Sequence, residues 1–245
     1  MDTPRQFSEL FILSSPYSGT TAMAKLLMTS ERIWSRAHSA EGQQLPESEP
    51  FLPPLRWNPE SAADWPALKA VWEDGRPAGK VLLEKSHWIL LRADQVLEVW
   101  PGAFFVISVR HPLAILPSLL SRRGSSDPVF AGWIHRWRKH SRWQRLILNR
   151  HPDRTVAITY TSFAREPRLL LDRLDEVFGT LGVDASTPVQ VKRYEPAVVS
   201  DHDARQIASL SGPEREKAEM LLQHPRVAKE VAFWDFASSP RLIQP

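Results

Sequence analysis

The chain has 245 residues, 42% of them hydrophobic, and no cysteine. That length supports one sizeable core and requires no second domain, and the missing thiols exclude disulfides, thiolate metal sites and cysteine nucleophiles. A formal net charge of only +3 is too small to impose a polyanionic partner, though it suits an anionic small ligand such as a nucleotide.

In chain order, the first apolar run covers residues 10–13 and reads as a buried strand, followed by a helical period over 20–28. No run reaches the roughly 18 apolar residues of a membrane span, and the N-terminal apolar stretch is too short and too early for a secretory signal. The sequence therefore reads as a soluble, cytoplasmic protein. Residues 45–66 carry six prolines together with Trp57 and Trp65, and are expected to form a substrate-side loop within a single domain spanning 1–245. Helical spacing resumes over 62–72. A strand is expected at 80–83, a helix at 90–99, a strand at 104–109, a helix at 113–120 and a long helix at 130–148. The basic stretch 136–150, which overlaps that helix, is interleaved with Trp137, Trp143, Leu146 and Ile147, which marks a solvated amphipathic face and argues against nucleic acid. A strand at 155–159 and a helix at 169–181 ending at Gly182 complete the pattern, before a polar tail with one apolar patch at 231–236. Strands alternating with helices imply an α/β fold, a central parallel sheet covered by helices on both faces in three layers.

The first strand runs directly into Ser14-Ser15-Pro16-Tyr17-Ser18-Gly19-Thr20-Thr21 and then a helix. In such a turn backbone N–H groups converge at the positive end of a helix dipole and attract an anion, with Gly19 allowing close approach and the hydroxyls of Ser18, Thr20 and Thr21 adding donors. A plain helix N-cap uses the same residue types. The loop is not a Walker A sequence, because Thr20 stands where that pattern has lysine.

Read with this loop, the chain resembles the sulfotransferase superfamily, whose phosphosulfate loop runs P-x-[SA]-G-[TN]-T. Arg110, Pro112 and Ser118 match its R-x-P-x-x-x-x-x-S element, and the resemblance implies that Arg110 and Ser118 hold the 3′-phosphate of 3′-phosphoadenosine 5′-phosphosulfate. Leu83-Glu84-Lys85-Ser86-His87 resembles both the family's K-[TS]-H and its E-K-S-P variant, Ala40-Glu41-Gly42-Gln43 resembles an acidic segment after the first helix, and Tyr160 resembles the start of the Y-E-D-L segment. The resemblance covers about residues 9–182 and implies a P-loop-like fold, with Tyr17, Ser18, Gly19, Thr20, Thr21, Arg110, Ser118 and Tyr160 at the cofactor.

For catalysis it implies Glu41 or His87 as the base, in that order, with Glu84 third because the neighbour of Lys85 on a strand points to the opposite face. Tyr17 departs from the family, whose loops carry Lys or Arg there, so the compensating charge is assigned first to Lys85 and second to Lys25. Gln43, Trp57 and Trp88 are the candidate acceptor contacts, although tryptophan at helical spacing is more often core. The acceptor is a small molecule, and the scheme needs no metal. The rival readings are a P-loop small-molecule kinase, which gives Arg110 and Ser118 no task, and a non-catalytic nucleotide-binding module, which Tyr17 favours.

Overall fold

A computed structural model describes residues 7–191 and 195–243. Six strands form one sheet in the order β2-β3-β1-β4-β5-β6. They are β1 (Glu9–Ser14), β2 (Ile33–Trp34), β3 (Val81–Glu84), β4 (Ala103–Val109), β5 (Thr155–Thr159) and β6 (Leu242–Ile243). All neighbours run parallel except β6, which is antiparallel to β5. Every residue of β1, β3, β4 and β5 is buried. Strands covered on both faces need continuous apolar runs, and this is why these four were legible in the sequence.

The side chains alternate between two cores. Leu10, Ile12, Phe104, Val106, Val156 and Ile158 pack with α1 (Thr20–Leu27), α6 (Tyr160–Arg165) and α7 (Arg168–Phe178). Phe11, Leu13, Phe105 and Ile107 face α2 (Trp65–Glu73), α3 (Ala93–Val99), α4 (Pro112–Arg123) and α5 (Asp127–Arg150). The result is the expected three-layer α/β architecture. Trp65, Trp72, Trp88 and Trp100 pack together within the second core, Trp65 stacked on Trp88 and Trp72 on Trp100, with edge-on contacts between the two pairs.

Two local expectations are corrected. The helix expected over 90–99 is a 3-10 segment, His87–Arg92, continuing as α3, since the chain leaving β3 must turn sharply to bury Trp88, Ile89, Leu90 and Leu91. The helix expected to end at Gly182 stops at Phe178, because Gly179 takes φ 71, a value that breaks the helix and favours glycine. The polar tail folds into α8 (Asp203–Ala208), α9 (Gly212–Leu222) and α10 (Pro225–Trp234). Ser211 and Glu214 form a reciprocal capping box at the start of α9. On α10, buried Trp234 donates to Ser141 Oγ of α5 at 2.7 Å, and Glu230 pairs with Arg145 at 2.9 Å. Among the described residues no helix is long and apolar enough to cross a membrane.

Candidate active site

β3, β1 and β4 are adjacent and parallel, so the segments that leave them converge at one edge of the sheet. Ligands of open α/β sheets bind at this edge. The loop after β1 bends through two left-handed residues, Tyr17 at φ 67 and Gly19 at φ 78. Gly19 has a second constraint: a Cβ there would lie 2.3 Å from the Tyr160 ring. Tyr17 holds its conformation without that freedom, at a cost of about 1 kcal/mol or more. Gly19 is the N-cap of α1 and no side chain caps this helix start, leaving its first N–H groups directed outward. The Ser18 hydroxyl is buried with no hydrogen-bond partner among the described residues. An orphaned donor of this kind is costly unless something outside the chain satisfies it.

Arg110 leaves the end of β4 and is buried. Its Nε donates to Asp203 Oδ1 at 2.8 Å, its Nη1 to the Tyr17 carbonyl at 3.1 Å, and its guanidinium lies 4.2 Å from the centroid of the Tyr160 ring. Asp203 Oδ2 also accepts from Thr161 Oγ1 at 3.0 Å, which ties the start of α8 to the arginine. The Tyr160 hydroxyl donates to the Ser200 carbonyl at 3.1 Å. A cavity of about 680 Å³ opens between these groups, lined by Tyr17 to Thr21, Arg110, Ser118, Tyr160, Glu41 and His87, and closed by Val189, Val191 and residues 197–200.

On the β3 side, the ammonium of fully buried Lys85 donates to Glu41 Oε1. Glu41 Oε2 accepts from Gln43 Nε2 at 3.1 Å and Gln44 Nε2 at 2.6 Å. Burial would raise the Glu41 carboxyl, but the Lys85 charge and hydrogen bond, helped by His87 and Gln43, outweigh it and hold the group below its ordinary value. Glu84 accepts from the Gly42 and Ser86 amides at 2.8 and 2.7 Å. Burial pushes its carboxyl up to about 7 despite those bonds. A Cβ on Gly42 would lie 2.7 Å from Glu84 Oε2 and 2.4 Å from Trp72 Nε1, so only glycine brings this amide to the carboxylate. His87 Nδ1 lies 3.1 Å from Ser14 Oγ and 3.3 Å from its carbonyl oxygen. Burial, reinforced by Lys85, lowers His87 to about 4, so its imidazole is neutral at physiological pH. Behind the loop, His140 Nδ1 meets Ser15 Oγ at 2.8 Å, and burial with nearby Arg136 and Lys139 lowers it to about 3.

Ten of the residues singled out in the sequence thus meet on one cavity: Tyr17, Ser18, Gly19, Thr20, Thr21, Glu41, His87, Arg110, Ser118 and Tyr160. The others fall elsewhere. Lys85 lies behind Glu41 and lines no part of the cavity, because its ammonium is consumed by the carboxylate. Lys25 turns to His38, donating to its carbonyl at 2.8 Å. Gln43 is drawn to Glu41 and its neighbour Gln44 lines the wall instead. Trp88 is 1% exposed in the aromatic core, whereas Trp57 stacks on His140 with centroids 4.9 Å apart. No described residue of 45–66 lines the cavity. Asp203, Arg122 and the segment 189–206 carry no motif. The one legible signal was the position of Arg122, one helical turn beyond Ser118.

A sheet that is parallel but for its last strand, an uncapped helix start after its first strand, a buried arginine after the neighbouring strand and a cavity between them define an α/β protein with its candidate ligand site at the strand ends. A family model described as the sulfotransferase family matches residues 60–181, a stretch that holds Lys85, His87, Arg110, Ser118 and Tyr160. The chain belongs to the sulfotransferase family and is a transferase; sulfuryl transfer from 3′-phosphoadenosine 5′-phosphosulfate is that family's general activity. Among solved structures, a sulfotransferase from Alicyclobacillus acidocaldarius is similar over 96% of this chain and 96% of its own, with 16% identity and a TM-score of 0.55. One from Mycobacterium avium matches over 98% of this chain and 79% of its own, at 15% identity and TM-score 0.59. The sulfotransferase domain of a Synechococcus olefin synthase matches over 89% and 94%, at 18% identity and TM-score 0.54. At these identities the likeness is one of fold. No curated protein matches the chain.

Proposed function

We propose that this chain transfers the sulfuryl group of 3′-phosphoadenosine 5′-phosphosulfate, in line, to a hydroxyl or amine of a small-molecule acceptor in the cytoplasm. The observation that carries this reading is the pairing, on one cavity, of an uncapped helix start and the orphaned Ser18 hydroxyl with a buried arginine that has an unused Nη2 among the described residues. These are two anion sites on one wall, which fits a nucleotide with phosphates at both its 5′ and 3′ positions. Ser18 to Thr21 would hold the 5′-phosphate, Arg110 and Ser118 the 3′-phosphate, and the Tyr160 ring beneath Arg110 the nucleoside. When bound, the cofactor supplies an activated sulfuryl group and a bisphosphate leaving group.

The chain itself contributes positioning and a base. Glu41 is ionised, exposed to the cavity and oriented by three donors, and takes the acceptor's proton. Lys85, whose ammonium hydrogen-bonds Glu41 alone among the described residues, is a positioning residue for that carboxylate. His87 is the second candidate base, favoured by the engagement of its Nδ1 with Ser14 and its neutral state.

The test is nucleotide conversion in the presence of a panel of alcohols, phenols and amines. The reading expects acceptor-dependent formation of adenosine 3′,5′-bisphosphate from the phosphosulfate and no ADP from ATP. ADP formation with the phosphosulfate left intact would replace it by the kinase reading.

A further inference from the structure

We propose that Glu84 is a positioning residue for the transfer step, a buried carboxylate that clamps the segment carrying Glu41 onto the end of β3; the proposal rests on the role of Glu41 given above. Glu84 Oε2 accepts from the Gly42 amide at 2.8 Å and Oε1 from the Ser86 amide at 2.7 Å. One carboxylate therefore spans the amide that follows Glu41 and the amide that follows Lys85, and the side chains of those two residues pair with each other. Two further bonds join the same stretches of chain. The Lys85 amide donates to the Ala40 carbonyl at 2.7 Å, and the Gln43 amide to Ser86 Oγ at 3.1 Å.

The segment needs such a clamp. Ala40, immediately before Glu41, sits at φ 55, in the left-handed region that a residue with a Cβ seldom holds unless its surroundings impose it. Glu84 lies on the sheet face of Leu82 and in register with Phe11 of β1, where an apolar side chain would be borne more easily than a carboxylate. What the carboxylate adds is two acceptors at a fixed spacing. Among the described residues the charge acting on it is that of Lys85, next along β3, and Glu41 beyond is paired with that ammonium. From α2 the neutral Trp72 indole donates to Ser48 Oγ at 3.0 Å, and Ser48, in the 3-10 segment Pro46–Phe51, donates to the Gly42 carbonyl at 2.7 Å. His87 turns to Ser14 and is neutral. Burial places the Glu84 ionisation near 7, so the double acceptor predominates above that pH. Below it one oxygen becomes a hydroxyl, the clamp holds one amide instead of two, and Glu41 is released from its place.

Two measurements test the proposal. In nitrogen–proton NMR spectra recorded across neutral pH, the Gly42 and Ser86 amides shift together through one ionisation near 7. The Gln44 side-chain amide, which donates to Glu41 Oε2, shifts with them because the carboxylate it holds moves. Glu84→Gln keeps the shape, removes the ionisation and abolishes all three shifts. With an alcohol, phenol or amine that supports turnover, wild-type kcat rises through the same ionisation. At about pH 8, Glu84→Gln loses about tenfold or more in kcat, the scale of a misplaced group, while affinity for adenosine 3′,5′-bisphosphate changes less than about twofold. Gly42→Ala, which pushes the amide off the carboxylate and leaves its charge in place, loses kcat to a similar extent. If the Gln44 signal does not follow the ionisation, or if both variants keep wild-type kcat, Glu84 does not position the base. Equal losses of kcat and of bisphosphate affinity mark a general distortion and also contradict the proposal. If the wild-type protein forms no bisphosphate from the phosphosulfate with any acceptor, the functional reading fails, while the NMR titration still decides whether Glu84 sets the position of Glu41.

Discussion

Glu41→Gln lowers kcat by about a hundredfold or more, the scale of a general base removed from a proton-transfer step, and changes affinity for the cofactor little. The amide keeps the size of the carboxylate and still accepts from Lys85, so the substitution removes basicity while preserving shape. Glu41 sits on the cavity wall with both oxygens oriented, Oε1 by Lys85 and Oε2 by Gln43 and Gln44. His87→Ala is expected to lose about tenfold or less, through relaxation of the Ser14 end of the loop that its Nδ1 contacts. Both variants are assayed at saturating cofactor. Near-normal turnover in Glu41→Gln together with a hundredfold loss in His87→Ala would transfer the role to the histidine.

Lys85→Met lowers kcat at pH 6.5 by at least about tenfold, and raising the pH restores much of the loss. Lys85 is fully buried and among the described residues its ammonium pairs only with Glu41, so its expected effect on catalysis passes through that carboxylate. Burial alone would raise the Glu41 carboxyl, and the Lys85 charge is what turns the balance downward. Without the ammonium the carboxyl titrates above its ordinary range, is protonated at low pH and has no lone pair for the acceptor's proton. Raising the pH ionises it again. Glu84 titrates near 7 in the wild-type protein, so the informative quantity is the ratio of variant to wild-type rate at each pH. Methionine fills the volume of the lysine stem, and an apolar replacement of a buried charge is often well tolerated by the fold. A loss independent of pH, or one confined to cofactor affinity, would contradict this role.

The sheet was legible because β1, β3, β4 and β5 are buried on both faces and must be written as continuous apolar runs. β2 and β6 have two residues each and carry no period that a sequence can display. The loop after β1 and the Arg110–Ser118 spacing are legible as motifs because each is local, a run of consecutive residues and two groups eight residues apart, and the fold brings both to one cavity. Groups that act across the chain left no such trace. Asp203 reaches Arg110 over 93 residues from the polar part of the tail that precedes the apolar patch at 231–236, and its short helix has no apolar face to announce it. Lys85 belongs to a legible motif, but its complete burial leaves no trace in the sequence, since β3 ends within the core and only the fold places Glu41 in front of it. Trp88 was read as a pocket wall because aromatic residues serve both cores and ligands. The tight turn after β3 drives it into the stack of Trp65, Trp72 and Trp100 instead.

The central claim is that the cavity reads a nucleotide with phosphates at both its 5′ and 3′ positions, and the melting temperature with each nucleotide tests it most directly, because a ligand that binds only the native state raises that temperature by mass action. Adenosine 3′,5′-bisphosphate should raise it well beyond ADP at equal concentration. Arg110→Ala should abolish the difference, and Ser118→Ala should only reduce it, since a neutral hydrogen bond is weaker than a charged one. Equal shifts from the bisphosphate and from ADP in the wild-type protein would contradict the account.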